Sequence, residues 1–364
     1  MKFDIKRESF LRALQRVQGT VEKSGTQPIL ANVLIGAGKE GEVTVSATDL
    51  ELFTRDICEG AVSKPGSVTV NARKLFEIVK GLSAEEVSFE AGKDHKVEIK
   101  GGRSRFKVLG LSEKDFPSPP EIDPTGLVRM DSDFLRDMID KTSFAVSKDE
   151  TRYNIHGFFL QRGGGVTRMV TTDGHRLAVI ERPGPAGEMK SVLIPRKGAI
   201  EIRKLLGEGE SEVLFGATDK RAALMAGNAA MSVRLLEGEF PDFERVIPKD
   251  NGLTVLAPKG AFIECVRRVS ILSDSKAHGV KLAFRAGSLT ASAFQELGEA
   301  SEDLDIEYDG PETETAYNSG YLLDALEAMP GEKVRLLLKD GLSPALLRPE
   351  DSDHYTSVIM PMRL

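Results

Sequence analysis

The chain has no tryptophan, only two cysteines and only five histidines among its 364 residues. Cys58 and Cys265 lie far apart without metal-ligand spacing, which excludes a disulfide framework and a zinc module. They read as buried thiols in a reducing cytoplasm. The histidines are scattered, so neither metal nor cofactor is expected. No apolar run is long enough to span a bilayer. The opening MKFDIKRESF lacks the apolar core of a signal peptide, and a cytoplasmic location is expected. Positive charge is also short: the formal net charge is −7. That argues against a generic nucleic-acid binder, although net charge reports the average field and not where charges sit.

What is present is a repeat. Residues 67–82, SVTVNARKLFEIVKGL, read as a strand followed by a helix, with Leu75, Phe76, Ile78, Val79 and Leu82 at helical spacing. The phrase returns at 191–206 and, more faintly, at 315–329. A second strand–helix unit opens each third of the chain, at 1–20, 127–146 and 253–272, and aligns Phe10, Phe134 and Phe262. Asp131 or Ser132 stands as the cap of the second of these helices. Short alternating segments with turn chemistry fill the intervals. Gly163-Gly164-Gly165 lies between two such segments and reads as a hairpin turn. The expectation is an α+β fold: three tandem copies of one domain, each with two helices and about eight strands, helices inside and sheets outside. Boundaries fall in the turn-rich linkers near Pro124 and Asn251, giving domains 1–124, 125–250 and 251–364.

The helices carry much of the basic charge. The first copy offers Lys6, Arg7, Arg12, Arg16, Arg73, Lys74 and Lys80. The second offers Arg136, Lys141, Arg196, Lys197, Arg203 and Lys204, but also Asp133, Asp137 and Asp140. The third offers Lys259, Arg267 and Arg268, while its second helix carries Asp324 and Glu327 and no base. A charged face on one helix is ordinarily just a solvated face. Five of six related helices sharing a sign is the expectation here, and it suits a polyanion of regular spacing, such as the backbone of duplex DNA. No base-reading motif accompanies them. The loop at 23–27 offers one further lysine to DNA.

Several motifs resemble the bacterial DNA polymerase III β subunits, the sliding clamps. They are Thr171-Thr172-Asp173-Gly174-His175-Arg176-Leu177-Ala178, Ile194-Pro195-Arg196-Lys197-Gly198, Phe240-Pro241-Asp242, Ile271-Leu272-Ser273 and the terminal Met360-Pro361-Met362-Arg363-Leu364, together with an RYxxxG start at Arg152. The resemblance covers the whole chain. It implies a head-to-tail homodimer that encircles duplex DNA without sequence specificity and tethers the replicative polymerase α subunit. The clamp loader and repair and translesion polymerases are the other implied partners. Tyr153 joins the DNA-contacting set by the same resemblance. The resemblance also implies a peptide pocket lined by Thr172, Gly174, His175, Arg176, Leu177, Pro241, Arg245, Val246, Val358 and Met360. A second subsite would include Tyr153, Asn318, Tyr321, Ser343, Pro361, Met362 and Arg363. For the joint between subunits, a free edge of the first copy would supply Arg103, Arg105, Phe106 and Val108, with Lys74 nearby. The third copy would supply Ile271, Leu272, Glu299, Glu302 and Asp303. Ile271 and Leu272 also read as plain core.

Two other classes compete. Thr172, Asp173 and His175 suggest a nucleophile, acid and base, but no nucleophile elbow or phosphate loop accompanies them, so an enzyme is not expected. A scaffold of three repeats without DNA accounts for the acidic total but not for the shared sign of the helices.

Overall fold

The computed structural model describes all residues except 23–26, 186, 208, 275–277 and 364. The loop lysine offered to DNA and the last residue of the terminal motif therefore lie outside the described residues. Three rounds of elements follow one another. The first holds β1 (Lys2–Lys6), α1 (Arg7–Val17), β2 (Asn32–Ala37), β3 (Glu42–Thr48), β4 (Leu52–Glu59), β5 (Ala61–Lys64), β6 (Gly66–Asn71), α2 (Ala72–Gly81), β7 (Glu86–Ala91), β8 (Lys96–Gly101) and β9 (Ser104–Leu109). The second holds β10 (Val128–Asp131), α3 (Ser132–Thr142), β11 (Gly157–Gly163), β12 (Val166–Thr172), β13 (Arg176–Pro183), β14 (Met189–Pro195), α4 (Arg196–Leu206), β15 (Glu212–Ala217), β16 (Arg221–Ala226) and β17 (Ala229–Arg234). The third holds β18 (Leu253–Pro258), α5 (Lys259–Val269), β19 (Gly279–Arg285), β20 (Ser288–Gln295), β21 (Gly298–Asp305), β22 (Thr313–Asn318), α6 (Ser319–Ala328), β23 (Lys333–Leu338), β24 (Ala345–Pro349) and β25 (Tyr355–Ile359). Each round has the two expected helices; the first carries one extra strand, β5, hydrogen-bonded to β1.

The repeat divides the chain in three, but compactness divides it in two. One unit is residues 1–136 with 197–235, and the other is 137–196 with 236–364. The middle round is thus shared. In the first unit the strand orders are β5-β1-β7-β8-β9 and β10-β15-β16-β17-β4-β3-β2-β6. In the second they are β14-β11-β12-β13-β25-β24-β23-β18 and β21-β20-β19-β22. Each eight-stranded sheet therefore runs across a repeat boundary, through β17 on β4 and through β13 on β25, both antiparallel.

Local chemistry explains the elements. In α1, Phe10, Ala13, Leu14 and Val17 form a buried stripe at helical spacing. They pack with α2 residues Leu75 and Val79 and with inward residues of both neighbouring sheets into one core. Phe3 stacks on Phe89 at 5.0 Å, and Phe10 meets Phe3 edge-on at 6.1 Å. Each such fully buried side chain contributes about 1.5–3 kcal/mol. Asn71 caps α2 by accepting the Lys74 amide at 3.0 Å, and Asn318 caps α6 by accepting that of Tyr321 at 3.1 Å. Asp131, not Ser132, caps α3: its Oδ1 accepts the amides of Asp133 and Phe134 at 2.7 and 3.3 Å. Phe10 and Phe262 are fully buried, but the aligned Phe134 is only half-buried. The triple glycine is a hairpin turn, with Gly164 and Gly165 in the left-handed region at φ 61° and 78°. Cys58 and Cys265 are buried, and burial pushes their thiols up to about 12 and about 11.

Candidate peptide pocket, helix cations and free edges

The turn between β12 and β13 is held by its own polar atoms. Gly174 takes φ +89°, a conformation that favours glycine. Asp173 Oδ1 accepts the amides of His175 and Arg176 at 2.9 and 3.0 Å, and its Oδ2 accepts Arg176 Nε at 3.0 Å. The Thr172 hydroxyl donates to the Arg176 carbonyl at 2.8 Å and accepts the Gly174 amide at 3.1 Å. These bonds commit Thr172 and Asp173 to shaping the turn, not to acting as nucleophile and base. Arg176 is itself buried. Its guanidinium pairs with Asp173 and, at 2.6 Å, with Asp324, and lies 4.4 Å from the ring centroid of Tyr321.

The chain's last strand finishes the site. Leu177 faces Val358 across the β13–β25 ladder, and the Met360 amide donates to the His175 carbonyl at 2.9 Å. The Met362 amide donates to the Ala316 carbonyl at 2.7 Å, and the His175 ring stacks on Tyr321 at 6.1 Å. A cavity of about 140 Å³ opens among Thr172, Gly174, His175, Arg176 and Leu177 on one side and Pro241, Val246, Val358 and Met360 on the other. It rests on a cluster that includes Val170, Leu177, Phe243 and Val358.

Nine of the residues expected in the pocket thus come together. Arg152, Ile155 and Phe243 also line it and were missed. Phe243 had a readable signal, standing three positions after Phe240; the two rings pack with Phe159. Arg245 does not reach the cavity: it is exposed and pairs with Asp242 at 2.7 Å, beside a separate concavity that includes Ile247 and Pro248. Of the expected second subsite, Tyr321 and its cap Asn318 adjoin the pocket through His175. Tyr153 is 61% exposed. Pro361 and Met362 are half-buried and Arg363 is exposed. The Ser343 amide is engaged by Asp340 at 2.7 Å.

The helix cations are mostly paired with nearby carboxylates. In the first unit Arg73 and Lys74 share Glu77 at 2.9 and 3.2 Å, Arg136 meets Asp133 at 2.6 Å, Lys204 meets Glu201 at 2.6 Å, and Lys197 meets Asp49. Arg12 is 3.9 Å from Glu8, Lys80 lies over the Phe76 ring, and Lys6 and Arg203 are exposed. In the second unit Arg267 sits between Glu264 and Glu327 at 2.6 and 2.7 Å, and Arg268 is 2.6 Å from Glu302. Apart from the pairs on the largely buried carboxylates of Asp49 and Glu201, these are exposed pairs worth about 0–1 kcal/mol, so a phosphate can displace the carboxylate at small cost.

Four of the residues expected to contact DNA are engaged or partly buried within the chain. Arg16 is drawn inward by Asp56 at 2.9 Å, with its side chain 10% exposed. Lys141 donates to the Ala328 carbonyl at the end of α6, at 3.0 Å. Arg7 reaches the Val79 and Lys80 carbonyls at the end of α2, at 3.5 and 3.4 Å. Arg196 is half-buried, with Nε sealed from solvent. The shared sign also fails for α3, where Arg136 and Lys141 against Asp133, Asp137 and Asp140 give 2 − 3 = −1. The sign holds for four helices, not five.

Two strands end their sheets with exposed residues. In β9, Phe106 is 38% and Leu109 72% exposed, with Arg105, Lys107 and, in the preceding turn, Arg103 also exposed. Arg105 pairs with Glu98, and Val108 and Lys74 are half-buried and exposed respectively. β21 presents Glu299 and Asp303 outward and half-buries Glu302. Beside it, Ile271 is 75% exposed and Leu272 half-buried, so neither is plain core. Phe294 and Leu297, unmarked in the sequence, are exposed on the adjoining hairpin.

Comparison with known proteins gives a consistent result along the chain. Residues 1–120, 129–242 and 244–363 match the N-terminal, central and C-terminal domains described for the DNA polymerase III beta subunit. The chain is 37% identical over 368 residues to the beta sliding clamp of Pseudomonas aeruginosa and 34% identical over 370 residues to that of Escherichia coli K12, covering all of each. The crystal structure of the Pseudomonas aeruginosa DNA polymerase III subunit beta superposes with a TM-score of 0.95 at 35% identity, over the full length of both chains.

Proposed function

The chain belongs to the family of bacterial DNA polymerase III beta subunits, the sliding clamps of DNA replication, which are not enzymes, and from that premise we propose how this chain closes, holds DNA and docks its partners. One observation carries the closure. β4, β13 and β21 are equivalent strands of the three rounds, and so are β9, β17 and β25. Within the chain, β17 pairs with β4 and β25 with β13, so β9 and β21 are left as edges. The third pairing is made by β9 on β21 of a second copy, and again by the reverse, which closes a two-fold ring.

The register follows from the same equivalence. Met231 faces Thr54 in one joint and Ser357 faces Ala178 in the other. Tracing the ladders Phe89–Ile99–Phe106, Phe215–Leu224–Met231 and Leu336–Leu347–Ser357 makes Phe106 the counterpart of Met231 and Ser357. Ala300 is likewise the counterpart of Thr54 and Ala178. Phe106 therefore faces Ala300 of the partner subunit, Lys107 faces Glu299 of the partner subunit, and Arg103 faces Asp303 of the partner subunit. Phe106, Ile271 and Leu272 form the apolar centre. The opposed charges fix register and orientation.

A closed ring needs no tight grip on DNA. Exposed cations such as Arg12, Arg73, Lys80, Arg203, Arg267 and Arg268 make exchangeable phosphate contacts without sequence preference. The 140 Å³ cavity takes a short extended peptide with apolar residues near its end, as from the polymerase, clamp loader or repair polymerases. Burying one Leu and one Phe yields roughly 3–6 kcal/mol gross. Ordering the peptide costs about 4 kcal/mol or more. Main-chain hydrogen bonds supply the rest, and affinity settles on the order of micromolar. Partners can then take turns. The test is calorimetry with such a peptide on a variant carrying His175→Ala and lacking residues 362–364. We expect no measurable binding and an unchanged dimer in sedimentation. Unchanged peptide affinity would refute the pocket.

A further inference from the structure

Away from the pocket and the free edges, β11 and β14 part company. Leu160 faces Val192, but Arg162 faces Met189, so Lys190 and Ser191 bulge opposite the single residue Gln161. Bulges re-aim side chains and leave backbone groups unpaired, and they recur at binding sites. An open cavity of about 530 Å³ lies here, lined by Gln161, Arg162, Lys190, Ser191, Arg168 and Glu188, among others.

Arg162 is the unusual residue in it. It is only 6% exposed, on the same face of β11 as the core residues Phe158 and Leu160, yet its Nε and Nη1 are buried without a hydrogen-bond partner. Its cross-strand neighbour Thr167 is 3% exposed, and the Thr167 hydroxyl is also buried without a partner. Burial depresses the Arg162 guanidinium pKa, but an arginine stays protonated in a protein. A buried cation without a counterion is costly. The nearby carboxylates do not cancel it: Glu181 and Glu244 are engaged by Arg168 at 2.5 and 3.3 Å, and Glu188, which also lines the cavity, forms no ion pair with Arg162. Two unsatisfied guanidinium nitrogens on a residue that lines a cavity with room for more than one water, beside a bulge, describe a site awaiting a ligand rich in acceptors.

We propose that the β11–β14 bulge binds a phosphate group, with the Arg162 guanidinium donating to its oxygens and Lys190 and Ser191 closing its outer side. A guanidinium matches an oxyanion in bidentate fashion, and a tetrahedral phosphate offers acceptors to donors arriving from several directions. The cavity exceeds a bare phosphate, so the site can take either the free ion or a phosphate carried on a small molecule.

The experiment is titration of the full chain with inorganic phosphate, followed by calorimetry and phosphorus NMR line width. We expect saturable binding, weakened about tenfold or more by Arg162→Met and by a smaller factor by Lys190→Ala. Displacement by phosphoserine would assign the site to carried phosphate, and its failure to displace would assign the site to the free ion. Acetate should not compete. No saturable binding up to about 50 mM phosphate, the weak end of specific recognition, would overturn the proposal. So would equal competition by acetate, or affinity unchanged in Arg162→Met. Lys190 lies on the surface, so Lys190→Ala keeps the test decisive if Arg162→Met does not fold; unchanged affinity there would then count against the site.

Discussion

The joint of β4 with β17 and the joint of β13 with β25 use one backbone device with different side chains. In the first, Thr48 donates to the Leu52 carbonyl at 2.7 Å, and Asp49 Oδ1 accepts the Glu51 and Leu52 amides at 3.0 and 2.6 Å. These are the bonds that Thr172 and Asp173 make in the second. The Arg234 amide donates to the Glu51 carbonyl at 2.8 Å, just as that of Met360 donates to His175. Leu50 even occupies the left-handed region at φ 77°, where the second joint has Gly174. What differs is what fills the surface: Leu50, Glu51, Phe53 and Arg234 stand where Gly174, His175, Leu177 and Met360 line the cavity. The joint is a property of the repeat, and the pocket is a property of a few side chains laid on it. Under the proposed closure, the edges β9 and β21 form a third instance of the same joint, with exposed charge where the closed joints are buried.

The largest test of this scheme strikes the open joint. Ile271→Ala with Leu272→Ala removes its apolar centre, and losses at such anchors run to about 2 kcal/mol or more each. Sedimentation at low micromolar concentration should show a monomer, with both closed joints and the peptide pocket intact; a persisting dimer would break the equivalence. Next, Gly174→Leu gives the second joint the residue of the first. A Cβ there meets the Arg152 guanidinium at 2.8 Å. The left-handed backbone adds about 1–2 kcal/mol of strain. Peptide affinity should fall by roughly tenfold or more while the dimer is kept, and full affinity would mean that glycine does not define the cavity. The smallest effect tests register. Lys107→Glu should weaken the dimer by about fivefold, on the order of 1 kcal/mol for like charges opposed across a strand pair. Adding Glu299→Lys should restore it. Failure of that rescue, read from dissociation constants, would shift the register.

Much of this was legible before the structure. Period and helix stripes follow from local spacing, which is why α1, α2 and the Asp173-Gly174 turn stand where the pattern put them; of the caps, only Asp131 was among the residues the sequence offered. Sharing of the middle round between two units was not legible, because strand pairing across repeats depends on contacts far apart in sequence. The intrachain partners of Arg16 and Lys141 were not legible for a related reason. A basic residue on a helix looks the same in sequence whether it faces solvent or is claimed by Asp56 or by the carbonyl of Ala328. Arg152 and Ile155 joined the pocket through loop geometry that no periodicity encodes, and Arg162 was hidden in a strand that reads as ordinary core.

The most direct measurement of the central claim is retention on DNA after loading onto a nicked circle, at moderate salt, before and after the circle is cut. Topological linkage predicts stable retention on the circle and rapid loss from the cut ends. Equal loss from both would contradict it and leave only a weak electrostatic binder.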